Sequence, residues 1–184
     1  MLRCLIRHHG LKKVCSEGFS PGELENYREK IAVLRSMEND QVPKVRKQLE
    51  EVRKLIEGST GESKEKAQAI ESQLVMMLDE HKHRLLEMGA AGRLLIAGEL
   101  ENVLPLEDAD ALEKAKPISP NGVKFDPLNI AARHDAQVKA VMKEGPVAVI
   151  VLGGSHDLSA SFRRLGDNCE YLRVTTKRFK ELAE

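Results

Sequence analysis

Val147-Ala148-Val149-Ile150-Val151-Leu152-Gly153-Gly154-Ser155-His156-Asp157-Leu158 is the stretch that decides the fold. An unbroken apolar run, mostly β-branched, ends abruptly in two glycines and an ionisable pair. Without polar alternation, such a run reads as a strand buried on both faces, the kind found in parallel sheets covered by helices. In open sheets of that class ligands bind beyond the carboxyl ends of the strands, which is where Gly153 to Asp157 should lie. The competing reading is a plain strand-to-helix turn in which Ser155 or Asp157 caps the next helix and His156 only packs.

Upstream, Leu2, Leu5 and Ile6 fit a short helix that stops at Gly10, with His8 and His9 as cations near its negative end. Leu11 to Gly18 follows as a short strand that ends in Glu17, and Cys15, two residues earlier, points into the packing. A right-handed crossover needs a strand before that first helix, yet the sequence begins inside the helix. Either the domain starts irregularly or the chain is truncated and the α/β core is incomplete at its amino end, in which case an export signal could be missing upstream.

From Pro21 to Gly89 the spacing is helical: Leu24, Tyr27, Ile31 and Leu34, then Val45, Leu49, Val52 and Ile56, and after Gly58 to Gly61 a return through Ile70, Leu74, Met77, His81 and Leu85. Pro43 should break or kink the outgoing arm. The chain therefore divides into an α/β core over 1–20 and 90–184 and an inserted, coiled-coil-like helical hairpin over 21–89. Mixed charges on the hairpin suit a solvated surface, and its apolar stripe offers a route to a protein partner or self-association.

In the second half, Asn102 to Leu106 reads as a strand and Glu107 to Asp110 as the acidic opening of a helix. Lys116 to Gly122 has no regular structure, Pro127 with Asp126 as cap starts a helix reaching Glu144, Asp157 opens another, and Cys169 to Val174 forms a last strand. Thr175 or Thr176 can cap a terminal helix. Alternating strands and helices give an α/β fold with a mainly parallel sheet flanked by helices.

Composition excludes several function classes. The 29 basic and 29 acidic residues leave no net charge, so the basic footprint of a nucleic-acid or anionic-membrane binder is missing. With no Trp, two Tyr and four Phe, stacking platforms for bases or sugars are not expected. Cys4, Cys15 and Cys169 are an odd set without CxxC spacing, against both a disulfide framework and a structural zinc site. No apolar run approaches the ~20 residues of a membrane span, so the chain as it stands is expected to be soluble and cytoplasmic.

The chemistry-bearing candidates are Glu17, Arg133, His134, Asp135, His156 and Asp157, with Gly153 and Gly154 shaping the turn. If their strands run parallel, Glu17 and His156 emerge at one sheet edge, where a carboxylate and an imidazole can share acid–base work or hold a divalent cation. Glu17 reads equally well as a helix or turn cap, and Arg133 either clamps an anion, steadies Glu17 or forms a surface ion pair. Gly153-Gly154-Ser155-His156 is neither a G-x-S-x-G nucleophile elbow nor a phosphate loop.

Val14-Cys15-Ser16-Glu17 after a helix, Arg133-His134-Asp135 with Met142 on the helix before the buried run, and Gly153-x-x-His156 at its end together resemble the TraB, Tiki, ChaN-like and erythromycin-esterase-like superfamily. The pattern there is a first G-x-x-H, a glutamate after the second strand, an arginine-bearing helix and a second G-x-x-H; the first G-x-x-H has no counterpart here. The Gly-Gly-x-His-Asp-Leu form looks most like bacterial ChaN-like and TraB-like members. The resemblance implies a hydrolase-type pocket for a small-molecule or peptide substrate, with Glu17, His156 and Arg133 catalytic and Gly153, Gly154, Asp157 and His134 lining it. It also implies that a divalent metal, if bound, sits on His156 and Glu17. The missing motif leaves open an inactive form, and the alternative is a non-enzymatic module that binds a haem-type ligand or a protein.

Overall fold

The computed structural model describes residues 1–116, 118–119, 122–123, 126–153, 156–166 and 168–174. Gly154 and Ser155 of the decisive turn, and Thr175 and Thr176, lie outside them. Along the chain run α1 (Leu2–His9), β1 (Lys13–Ser16), α2 (Leu24–Ser36), α3 (Val42–Gly58), α4 (Gly61–Glu87), α5 (Gly89–Ile96), β2 (Asn102–Pro105), α6 (Ala109–Ala115), β3 (Ile118–Ser119), β4 (Gly122–Val123), α7 (Pro127–Val141), β5 (Ile150–Val151) and α8 (Ser159–Leu165). The result is a mixed α/β protein with a small parallel sheet.

Packing divides the chain into two units, Met1–Tyr27 with Glu101–Glu184, and Arg28–Leu100. The sheet lies in the first. Its order is β2-β1-β5, and β1 pairs parallel with both neighbours. Val14 and Cys15 on β1 and Val103 on β2 are buried, because a central or helix-covered strand keeps only apolar side chains. Cys15, Leu106, Val138, Val141, Leu158 and Phe162 form the core, so α7 and α8 cover the sheet. Gly10 takes the left-handed conformation that ends α1, at φ 62°. Asp126 caps α7 by accepting from the Leu128 and Asn129 amides, and Asp108 caps α6 by accepting from Ala111.

The apolar run that suggests a strand buried on both faces behaves differently. Only Ile150 and Val151 are paired as strand, and Val147 is 83% exposed. The reason is position: β5 pairs with β1 alone, so the run is an edge strand among the described residues. Ala148, Ile150 and Leu152 pack on the core at period two, and the Val149 and Val151 carbonyls accept from the Cys15 and Glu17 amides. Cys169 to Val174 forms no ladder; Tyr171 stacks on Phe162 with ring centroids 4.8 Å apart, and Leu172 and Val174 are exposed. The Tyr171 ring and an ion pair from Arg173 to Asp157 hold this segment where a strand is expected. The proline loop, expected without regular structure, carries a two-residue antiparallel ladder in which Ile118 faces Val123 and Ser119 faces Gly122.

In the second unit Pro43 does not end the helical path. A widened π turn over Met37–Gln41 precedes α3, and Pro43 falls in its first turn. The wider turn relieves the clash between a proline ring and the carbonyl four residues back, here that of Asn39. Ser59 and Thr60 join α3 to α4, and Arg53 Nε reaches Glu71 Oε1 at 2.8 Å. Leu49, Ala67 and Leu74 are buried, and so is His81, whose Nε2 meets Glu38 Oε2 at 2.6 Å. Arg35 donates to the Leu95 and Ile96 carbonyls and so satisfies the end of α5. Among the described residues no helix is long and apolar enough to cross a membrane.

Leu158 is completely buried where β5 gives way to α8. Leu158→Ala should cost ~2–5 kcal/mol in urea unfolding, since it empties core volume, whereas Val147→Ala should stay within ~0.5 kcal/mol. Equal costs at the two positions would contradict the edge assignment of this run.

Candidate functional site

The carboxyl ends of the three parallel strands converge. Ser16 pairs with Pro105 and with Val151, so the residues that follow each strand leave the sheet at one rim: Glu17 after β1, Leu106 and Glu107 after β2, Gly153 and His156 after β5. Parallel pairing alone brings these side chains together, because every strand exits in the same direction. α7 supplies Arg133, His134 and Gln137.

Glu107 is the floor of the cluster. Its amide donates to the Phe19 carbonyl at 3.3 Å, and its carboxylate is fully buried. Arg133 donates to it through Nε, 2.9 Å from Oε2, and through Nη2 to Oε1. Gln137 Nε2 donates to Oε1 at 3.0 Å, as does the Gly18 amide at 3.4 Å. Arg133 and Gln137 are one helical turn apart, so one face of α7 presents both donors. Burial pushes the Glu107 carboxyl up, but the Arg133 bonds and charge, with the Gly18 and Gln137 bonds, outweigh it and hold it below the ordinary value.

Glu17 is fixed differently. Its amide donates to the Val151 carbonyl at 3.2 Å, and its Oε1 accepts from the Gly153 amide. A Cβ at Gly153 would stand 2.5 Å from that oxygen, so a larger residue there would push the Glu17 carboxylate aside. Its Oε2 is buried and makes no hydrogen bond; His156 Nε2 lies 3.6 Å away and Arg133 Nη2 3.8 Å away. The G-x-x-H spacing closes a turn in which the His156 amide donates to the Gly153 carbonyl at 3.1 Å. That turn returns the imidazole toward Glu17. His156 Nδ1 then faces His134 Nε2 at 3.3 Å, with the rings edge to face at 5.6 Å.

The arrangement is a row, Glu17, His156, His134, beside an arginine held from below. Burial, helped by the neighbouring His156 and Arg133, lowers the His134 pKa, which keeps that ring neutral around neutral pH. Among the described residues no three His, Cys, Asp or Glu side chains converge as metal ligands. His156 directs Nε2 toward Glu17 and Nδ1 toward His134.

The other sequence candidates fall outside the row. Asp157 Oδ1 accepts from the Ser159 amide at 2.9 Å and its Oδ2 meets Arg173 at 3.1 Å, both at the opening of α8. Asp135 pairs with Arg164. Burial pushes the Cys15 thiol up to about 11, which leaves it protonated and unsuited to nucleophilic attack. A cavity of about 300 Å³ that includes Cys15, Lys13 and Glu144 opens at the other ends of the strands. Glu107 and Gln137 escaped the sequence reading, in which Glu107 was only an acid at the start of α6. The usable signal was its place just past an apolar strand, one residue beyond the position equivalent to Glu17.

No family model, curated protein or solved structure matches the chain.

Because the Glu107 carboxyl is held below its ordinary value, the folded state binds fewer protons there than the unfolded chain on acidification. Its contribution is present above the ordinary glutamate range and disappears as pH falls through the depressed value. Glu107→Gln should therefore be less stable at neutral pH and lose less stability on acidification, read as urea midpoints down the pH scale. Parallel acid profiles for the two proteins would contradict this assignment.

Proposed function

We propose that this chain is a TraB/ChaN-like, hydrolase-type domain in which His134 and His156 act together as the general base and Glu17 carries the balancing charge. The observation that supports it is the position of His156, between a carboxylate and a second imidazole at the carboxyl rim of a parallel sheet.

With its proton on Nε2, toward Glu17, His156 presents the Nδ1 lone pair to His134 Nε2–H. His134 Nδ1 takes a proton from an attacking water as the water oxygen bonds to the substrate carbonyl carbon. The Nε2 proton of His134 passes to His156 Nδ1, and the resulting imidazolium faces the Glu17 carboxylate. The proton returns along the same path to the departing oxygen or nitrogen, so the pair ends as it began. Arg133, anchored on Glu107, sets the field around Glu17 without exchanging a proton.

A second reading, protein interaction through the helical unit, draws on Leu55, Ile70, Met76, Met77 and Leu86, all exposed on α3 and α4. Ester, lactone and peptide panels decide for or against hydrolysis. His156→Ala and Glu17→Gln should each lower the rate ~10²–10⁴-fold, the scale of lost general-base catalysis, with the urea midpoint of His156→Ala unchanged. A full rate in His156→Ala would end the proposal, as would no turnover of any class by the unaltered chain.

A further inference from the structure

Arg133 looks like an anion clamp, yet its charge is already committed. Two of its donor nitrogens point at Glu107, whose carboxylate is completely buried and which Gln137 and Gly18 also bond. Paired two-point contact between guanidinium and carboxylate is the strongest way for these groups to meet, and a ligand carboxylate or phosphate would have to compete with it. Because Glu107 has no route to solvent, Arg133 cannot be released without leaving a bare buried charge.

The charge balance of the cluster follows. At a pH where both imidazoles are neutral, Glu17 and Glu107 are the two negative charges of the cluster and Arg133 its one positive charge. One negative charge is left over, and it resides on Glu17, since Glu107 is matched. Of the two Glu17 oxygens, Oε1 is occupied by the Gly153 amide. Oε2 is buried without a hydrogen bond; His156 at 3.6 Å and Arg133 at 3.8 Å stand in ion-pair range but beyond hydrogen-bonding reach. An unbonded acceptor calls for a donor, and with one-fifth of the Glu17 side chain exposed a ligand can bring one to this carboxylate.

We propose that Glu107 is the specificity-determining residue of this site: by holding Arg133 it withdraws the guanidinium from ligands and leaves Glu17 Oε2 to receive a ligand bearing an ammonium or guanidinium group. An arriving cation gains the excess negative charge of the cluster and the missing hydrogen bond, whereas an arriving anion meets Glu17 and finds two of the Arg133 donors held by Glu107. The inference rests on reading this cluster as the functional site, but it concerns what binds there and holds whether or not the bound molecule is hydrolysed.

The test uses the full chain labelled with nitrogen-15 at pH 8, where imidazoles are mostly neutral. Methylguanidinium, acetate and inorganic phosphate are titrated separately at matched ionic strength, and the Gly153 amide and His156 ring resonances are followed. Methylguanidinium should shift both resonances saturably, with an affinity at least ~10-fold above that of acetate or phosphate, since a single opposed charge pair of this kind readily exceeds that ratio. Glu17→Gln should abolish the response while retaining the native spectrum. Glu107→Gln frees the guanidinium and should reverse the order, so that acetate now binds; a folded Glu107→Gln that keeps the cation preference would overturn the role of Glu107. Acetate or phosphate binding the unaltered chain as strongly as methylguanidinium would overturn the proposal, and so would no response to methylguanidinium. Selective methylguanidinium binding by a chain without hydrolytic activity would uphold this inference and remove the hydrolase reading. Hydrolysis accompanied by anion preference would do the reverse.

Discussion

The buried pairing of Glu107 with Arg133 is the constraint on which the site depends. A carboxylate with no exposure is tolerable only when matched and bonded, and here one guanidinium, one amide side chain and one backbone amide do so. The contact links the loop after β2 to the middle of α7, so it fixes which face of that helix meets the sheet rim. His134, the residue after Arg133, is positioned in consequence. Were the pair lost, the imidazole row would keep only the contacts of Glu17 with the Gly153 turn.

Two carboxylates, one residue apart in register on adjacent strands, thus have opposite fates. Glu107 is inside, bonded on both oxygens, and structural in effect. Glu17 sits higher, tied by a single amide, with its second oxygen unpaired near two cationic or potentially cationic groups. Environment and not residue type separates them, which is the usual way that paired acids acquire different work.

Much of this was legible in the sequence, and what was not has physical causes. The cap at Asp126, the acidic opening of α6, the left-handed Gly10 and the existence of β1 and β2 follow from local rules, because each depends on a few adjacent residues. The meeting of Glu17 with His156 also followed from local reading, since parallel strands share an exit direction. Strand length did not. Val147 to Leu152 has the composition of a central strand, but pairing partners are set by topology, and an edge position leaves Val147 in water. Tyr171 and Arg173 likewise show how a stacked ring and an ion pair can fix a segment that composition alone makes a strand. Glu107 was hidden because an acid before a helix has an ordinary explanation, and its true partners lie 26 and 30 residues away on α7.

The central claim is energetic, that Glu107 and Arg133 act as one unit, and a double-mutant cycle addresses it directly. Glu107→Ala, Arg133→Ala and the double variant would be compared by urea unfolding at neutral pH. Each single change should cost ~3–5 kcal/mol by stranding a buried charge, and the double variant should cost less than their sum by ~1.5–3 kcal/mol, the coupling expected of contacting charged groups. Additive losses, with coupling under ~0.5 kcal/mol, would contradict the account.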